Sequence, residues 1–403
     1  MKVAIIFDSD PHGGGGFYQS LRTVEILKSS NVSNFKFEIV TTNLTSKKVI
    51  EKNGYKSMLF SPKRWSNLYY KLTSSKILNL IISKLKIKNP FTSFMKKNNF
   101  DLIYFLGPSS LINLCDEHNF IVNIYDINHK LDNFFPEYKR KNVIDDRENI
   151  FQNCINKSFR IIVDSERAKD EMKFVYNCFD SKIEIVPFNP YLPSYYERNK
   201  DKIIDNIDIE KFNFLKKHKT FFYPAQFWAH KNHNYIVESA KILKEKNLNF
   251  NIIFCGSNKG NYNYIVNKIN KYNLQENFKI FDFLTDEEVI YLYLNISAII
   301  MPTYVARSTL PLYESFYFEK TIFYSKDVLE KKLENLVSPV NLNDPFDFAN
   351  QLENFINENN NQQFNNKLKN AKNYYLNNCD EKLISKKIFK ILQNYKYLSE
   401  RWS

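Results

Sequence analysis

Short apolar runs separated by longer stretches of helical period recur along the whole chain. In the first half they fall at residues 3–7, 37–40, 102–106, 120–125, 161–163 and 183–186, and in the second at 221–223, 250–254, 278–281, 298–301 and 321–324. Brief apolar runs of this kind suit strands buried on both faces, and strands alternating with helices build parallel sheets covered on each side. The predicted fold class is therefore α/β, with two such sheets. Pro187, Pro190 and Pro193, followed by charged and polar residues to Asp208, separate the two series and mark the boundary. The expected organisation is a Rossmann-like domain over 1–190, a linker over 191–208, a second Rossmann-like domain over 209–380, and a terminal helix over 381–403. Ile384, Ile388, Ile391, Leu392, Tyr395 and Leu398 keep a helical period in that last segment, which could cover either domain. The absence of a repeat of 20 to 50 residues argues against a solenoid.

Several helix ends are legible. Thr285 with Glu288 spells a capping box before Val289, Leu292 and Ile296, and Asp344 followed by Pro345 is a cap and first-turn pair before Phe348, Leu352 and Phe355. The segment MPTYVARSTLPLYE, residues 301–314, combines a strand end, a short loop and a helix start at Pro311. The amides around Ser308, Thr309 and Leu310 are expected to form an anion site at the tip of a strand. Glu314 is expected in the first helical turn, kept ionised by the helix dipole, within reach of hydroxyls attached to that anion. A phosphate with a ribose behind it has this shape.

Three further constellations point to chemistry. Four of the eight glycines stand together at Gly13, Gly14, Gly15 and Gly16, after the first strand and before a helix. Glycine there lets a ligand approach the backbone and presents amides at a helix start. The spacing fails the dinucleotide fingerprint at Gln19, which argues against a nicotinamide oxidoreductase. The stretch FYPAQFWAHKNH, residues 222–233, leads from a strand into a loop with Gln226, His230 and Lys231, and Lys231 is a counter-charge suited to phosphate oxygens. His230 and His233 lack a nearby carboxylate or cysteine to complete a ligand set, so no metal is expected. The stretch YDINHKLDNFFPE, residues 125–137, places His129 on a loop at the carboxyl edge of the first sheet, where open α/β sheets bind ligands.

The 403 residues carry a formal charge of +13, unevenly spread. No acidic residue occurs between Glu51 and Asp101, where Lys63, Arg64, Lys71 and Lys76 alternate with Trp65, Tyr69, Tyr70 and other apolar residues. A basic and aromatic stretch of this kind fits an anionic membrane surface. A nucleic-acid partner is the competing reading of the same charge. Five scattered cysteines imply neither a disulfide framework nor a zinc site. The start MKVAIIFDSD lacks the features of a signal peptide, and no apolar run approaches the roughly 20 residues that span a bilayer. A cytoplasmic protein, peripheral on the inner face of the cytoplasmic membrane, is expected.

The stretches FYPAQFWAHKNHNYIVESAKIL, IIFCGSNKGNYNYI, FKIFDFLTDEEVIYLY and MPTYVARSTLPLYES, with the glycine turn, DINHKLDNFFPE and RIIVDSERAKDEM in the first half, resemble the family 4 glycosyltransferases of GT-B fold. The branch resembled acts in bacterial surface polysaccharide synthesis, including O-antigen and lipopolysaccharide. The resemblance implies two Rossmann-like domains facing across a cleft, the first on the acceptor side and the second holding a nucleotide sugar. It implies a metal-independent, retaining hexosyltransferase that needs no cofactor, with GDP-mannose as the first donor to try and a glycan or lipid-linked acceptor. By the same resemblance, Lys231, Gln226 and the amides of Ser308, Thr309 and Leu310 hold the diphosphate, with Gly15 and Gly16 in the donor-binding set. Glu314 holds the ribose, Phe283 and Leu284 flank the base, and His129 and Lys231 are the catalytic residues.

Two departures from the family pattern bear on this reading. Gln226 stands where the family commonly has Arg or Lys, and Ala306 stands where its paired-glutamate motif begins, eight residues before Glu314. A degenerate, non-catalytic GT-B protein is thus the sharpest alternative to an active transferase, ahead of a nucleic-acid binder.

Overall fold

The computed structural model describes residues 1–10, 14–30, 34–61, 89–203, 205, 207–305, 309–357 and 362–402, apart from the side chains of 362–364. Gly13, Ala306 and Ser308 lie outside the described residues, as do Lys63, Arg64, Trp65, Lys71 and Lys76, on which the membrane expectation rests. The chain divides into two compact units. The first comprises Met1–Leu131, Lys141–Pro187 and Glu381–Ser403, and the second Asp132–Arg140 and Phe188–Asp380.

The first unit holds a seven-stranded parallel sheet of β1 (Lys2–Phe7), β2 (Lys36–Thr41), β3 (Ser57–Leu59), β4 (Leu102–Phe105), β5 (Phe120–Asn123), β6 (Arg160–Val163) and β7 (Ile183–Ile185), ordered β3-β2-β1-β4-β5-β6-β7. The second holds a six-stranded parallel sheet of β8 (Lys219–Pro224), β9 (Phe250–Cys255), β10 (Phe278–Phe281), β11 (Ala298–Met301), β12 (Thr321–Ser325) and β13 (Ser338–Val340), ordered β10-β9-β8-β11-β12-β13. Both are Rossmann-like. In each the first and fourth strands lie side by side and the chain leaves them in opposite directions, which opens a crevice at their carboxyl ends. In the second sheet Ala298 of β11 pairs with Phe221 of β8, so their tips are neighbours.

Central strands bury every side chain: positions 3–7 of β1 and 298–301 of β11 are buried throughout. Continuous apolar runs were the right signal for them. β3 and β13 were not expected. β3 is three half-buried residues, Ser-Met-Leu, and β13 carries Pro339 at a sheet edge, where a residue without an amide hydrogen is tolerated.

The predicted caps form. Thr285 accepts from the Glu288 amide at 3.2 Å while Glu288 accepts from the Thr285 amide at 2.9 Å. Asp344 accepts from the amides of Phe346 and Asp347 at 2.9 and 3.1 Å. The segment 191–208, expected as a linker, contains the helix Tyr191–Asn199 and lies in the second unit, where Tyr195 donates to Glu287. The last helix, Glu381–Ser399, belongs to the first unit. Buried Arg22 ties its start through Glu381, and Phe389 packs on Phe35 and Phe37. No helix among the described residues is long and apolar enough to cross a membrane.

Candidate functional site

The crevice between β8 and β11 in the second unit brings together Gln226, His230 and Lys231 after β8 with Thr309 and Leu310 after β11. After β8 the chain runs through Ala225 to Trp228, makes a tight helical turn at Ala229–Lys231, and enters the helix His233–Glu245. Asn232 links turn and helix with a left-handed backbone, φ 56°, a conformation asparagine accepts more readily than most residues. The loop has a firm seat. Phe227 is fully buried, stacked on His233 at 4.4 Å and edge-on to Phe254 at 5.9 Å, and its amide donates to the Ser257 carbonyl at 3.1 Å. Gly256 makes this approach possible, because a Cβ there would lie 2.6 Å from Gln226 Cα.

His233 belongs to that seat. Its Nε2 donates to the Ala225 carbonyl at 3.2 Å, and burial pushes the imidazole down to about 3, so it stays neutral. Lys231 is half-buried and its carbonyl accepts from the Tyr223 hydroxyl at 2.7 Å, which anchors the turn through its main chain. Gln226 accepts from the Trp228 indole at 3.0 Å. Asn232 is buried, and its side-chain nitrogen has no hydrogen-bond partner among the described residues.

Across the crevice, Pro302–Val305 follow β11, and the helix Leu310–Tyr317 begins with Thr309 as an extended cap whose side chain caps no amide. Pro311 lies in its first turn, as expected. The start of this helix and the start of His233–Glu245 are thus at adjacent strand tips, where unpaired amides and the positive ends of two helix dipoles favour an anion.

Glu314 departs from expectation. It is the fifth residue of its helix, beyond the first turn, and is buried with its Oε2 accepting from the Tyr293 hydroxyl at 2.7 Å. Burial, with the repulsion of Asp286 added, lifts its carboxyl to about 7 against the lowering effect of Tyr293. The helix dipole does not keep it ionised at that depth. Phe283 is exposed and Leu284 buried, both just past β10, so β9 stands between them and β8.

One participant was missed in the sequence. Glu137, on the segment Asp132–Arg140, accepts from the His230 amide at 3.3 Å and from His230 Nδ1. The His230 carbonyl in turn accepts from the Tyr304 amide at 3.0 Å and the Thr303 hydroxyl at 3.3 Å. His230 therefore joins the β8 turn to the β11 loop.

In the first unit, Gly14 has φ 73°, and the helix Gly15–Ser29 starts immediately after it, with Gly15 and Gly16 as its first residues. His129 does not lie on an open loop. It sits in the short helix Asn128–Leu131 with no exposed surface, its ring against Phe151 at 4.7 Å and its Nε2 on Glu148 at 2.7 Å. The Tyr176 hydroxyl donates to the same Glu148 oxygen at 2.6 Å. Burial, then the Arg147 guanidinium, hold the imidazole below its usual value despite Glu148. The apolar ring of Phe151 and this carboxylate turn His129 into the unit. Among the described residues no three His, Cys, Asp or Glu are grouped to hold a metal.

Residues 205–373 match the model of the family glycosyl transferases group 1. No curated protein matches the chain. Among solved structures it is similar to a glycosyltransferase from Rickettsia africae ESF-5, 15% identical over 98% of each chain with a TM-score of 0.70. It is also similar to Anabaena Alr3699/HepE in complex with UDP and glucose, 12% identical over 98% of this chain and 100% of that one, TM-score 0.71. The sucrose-phosphate synthase of Thermosynechococcus elongatus is 13% identical over 99% of each chain, TM-score 0.69. The fold, two Rossmann-like domains with parallel sheets, is that of the GT-B glycosyltransferases.

Proposed function

We propose that this chain is a retaining glycosyltransferase of the family 4 type that moves a hexosyl group from a nucleoside-diphosphate sugar to a glycan or lipid-linked acceptor in surface polysaccharide synthesis. The observation that carries the reading is the β8–β11 crevice, where Lys231 and two helix starts converge in the part of the chain that matches the glycosyltransferase family. A donor diphosphate at these helix starts would be met by backbone amides and by the Lys231 ammonium. Phe283 and Leu284 lie two strand spacings from β8, about 10 Å, which is the reach of a base beyond its diphosphate. Glu314 would take the ribose hydroxyls.

The chemistry asked of the chain is charge stabilisation. As the bond from the anomeric carbon to the diphosphate breaks, negative charge grows on the departing oxygen, and preorganised donors there lower the barrier. Retention without a protein nucleophile places the acceptor's attack on the face the leaving group vacates, with the diphosphate oxygen taking the acceptor proton. Burial of His129 favours a supporting role for it within its own unit over contact with the sugar.

Thermal-shift screening with UDP, GDP, ADP, dTDP and CMP derivatives tests the donor site and chooses the base, GDP-mannose and UDP-glucose being the first sugars to try. HepE has been solved in complex with UDP-glucose, which makes uridine a second starting point. A non-catalytic GT-B protein, the reading favoured by Gln226 and Ala306, would bind a nucleotide yet release no sugar in an hydrolysis or transfer assay. The stretch from Lys63 to Lys97 supports attachment to an anionic membrane, and flotation with anionic against neutral vesicles tests it: equal binding to both removes the idea.

A further inference from the structure

The chain leaves the first unit after Leu131 and rejoins it at Lys141, and the nine residues between are packed in the second unit. Phe135 and Tyr138 are buried, and Phe135 lies 5.7 Å from the Tyr304 ring and 6.0 Å from the His230 ring. Glu137 stands between these two anchors, its side chain only 7% exposed. One of its oxygens takes both the main-chain and the ring N–H of His230. The His230 carbonyl is held from the other side by Tyr304 and Thr303. Next in sequence is Lys231, whose own carbonyl is held by Tyr223.

We propose that Glu137 is a positioning residue for the diphosphate site: by fixing His230 at ring and main chain it sets the turn Ala229–Lys231 and aims Lys231 at the donor. The inference rests on the donor reading above and adds to it a residue from a distant part of the chain. The physical argument is that a turn of three residues has little order of its own. Its carbonyls at His230 and Lys231 are fixed by the sheet loops, and Glu137 holds the opposite side of the turn by accepting from both the amide and the ring of His230. Phe135 and Tyr138 seat the segment independently of Glu137, so removing the carboxylate loosens the turn and leaves the segment docked.

The test uses the full chain with Glu137→Ala and Glu137→Gln. Amide hydrogen exchange in the nucleotide-free protein reads the turn directly: residues 229–231 exchange about fivefold faster in Glu137→Ala, and within about twofold of wild type in Glu137→Gln, which keeps an accepting oxygen. Unchanged exchange in Glu137→Ala overturns the proposal. Calorimetry with UDP and GDP then reads the link to Lys231 through a double-mutant cycle. Glu137→Ala weakens binding about tenfold in the wild-type background and less than twofold in Lys231→Ala, because the contact it positions is already gone. An equal loss in both backgrounds assigns Glu137 a merely structural role and overturns the positioning of Lys231. Wild-type protein that binds none of the UDP, GDP, ADP, dTDP and CMP derivatives overturns the donor reading instead, and the exchange result then decides the turn by itself.

Discussion

The Tyr293 hydroxyl donates to Glu314 Oε2 at 2.7 Å inside the second unit, and both residues are buried. Burial makes Glu314 a titrating group in the neutral range, against the lowering effect of Tyr293. Burial lifts its carboxyl from an ordinary 4.5 to about 7, so the folded protein holds a proton there that the unfolded chain has released. Stability from this group is complete below pH 4.5 and is lost as pH rises through about 7. The loss is on the order of 2–3 kcal/mol. Urea unfolding at pH 5 and pH 8 should therefore show a fall in wild type that shrinks in Glu314→Gln. If the ionised carboxylate accepts ribose hydroxyls, nucleotide affinity rises between pH 6 and 8 in wild type and stays flat in Glu314→Gln. Affinity that is flat with pH in both proteins would falsify the ribose assignment.

Lys231→Ala should weaken donor binding and turnover by about 1.5–3 kcal/mol, the size of a charge-assisted hydrogen bond, with little change in Tm. The fold tolerates it because the turn is anchored through the Lys231 carbonyl, which the mutation keeps. Calorimetry and initial rates check this together; unchanged turnover with a bound donor removes Lys231 from the site.

His129→Ala should act on the first unit's stability and leave nucleotide affinity alone. The substitution empties space beside Phe151 and takes a hydrogen-bond partner from Glu148, which Tyr176 and Lys130 still hold. A loss of about 1–3 kcal/mol is expected by urea unfolding. Intact stability and nucleotide affinity with turnover largely lost would return His129 to the catalytic set.

Much of this arrangement was legible where causes are local. The run 298–301 read as a strand because both of its faces are buried, and Thr285 with Glu288 read as a cap because partner and cap are three residues apart. The helix start at Pro311 followed from proline's fixed φ. Long-range partners were not legible. Glu137 and His230 are 93 residues apart, and nothing periodic in NFFPEY announces that the segment leaves its own unit. Tyr293 meets Glu314 from 21 residues away, in a buried site that the sequence around Glu314 does not announce. His129 falls just beyond the end of β5, where position alone suggested an open loop, while Phe151 and Glu148 determine that its side chain turns inward.

Two glycines of this glycine-poor chain make a contrasting pair. At Gly256 an added Cβ would lie 2.6 Å from Gln226 Cα, a backbone atom that side-chain rotation cannot move away. At Gly16 nothing lies within 4 Å, its φ is not in the left-handed region, and it is the second residue of a helix. Gly256→Ala must therefore push the β8 loop off the tip of β9, straining the seat of Phe227, and should lower stability by about 1–3 kcal/mol. Because the displaced loop carries Gln226 and leads to Lys231, donor affinity should fall with it. Gly16→Ala should leave stability unchanged or raise it by up to about 1 kcal/mol, since alanine suits a helix better than glycine. Its effect on nucleotide binding then isolates one question, whether a ligand approaches the backbone at the glycine turn. Weaker binding by stable Gly16→Ala protein keeps Gly16 in the donor set, and unchanged binding removes it. Gly256→Ala protein as stable as wild type would show that the β8 loop has room to move, and would undo the account of how that loop is held.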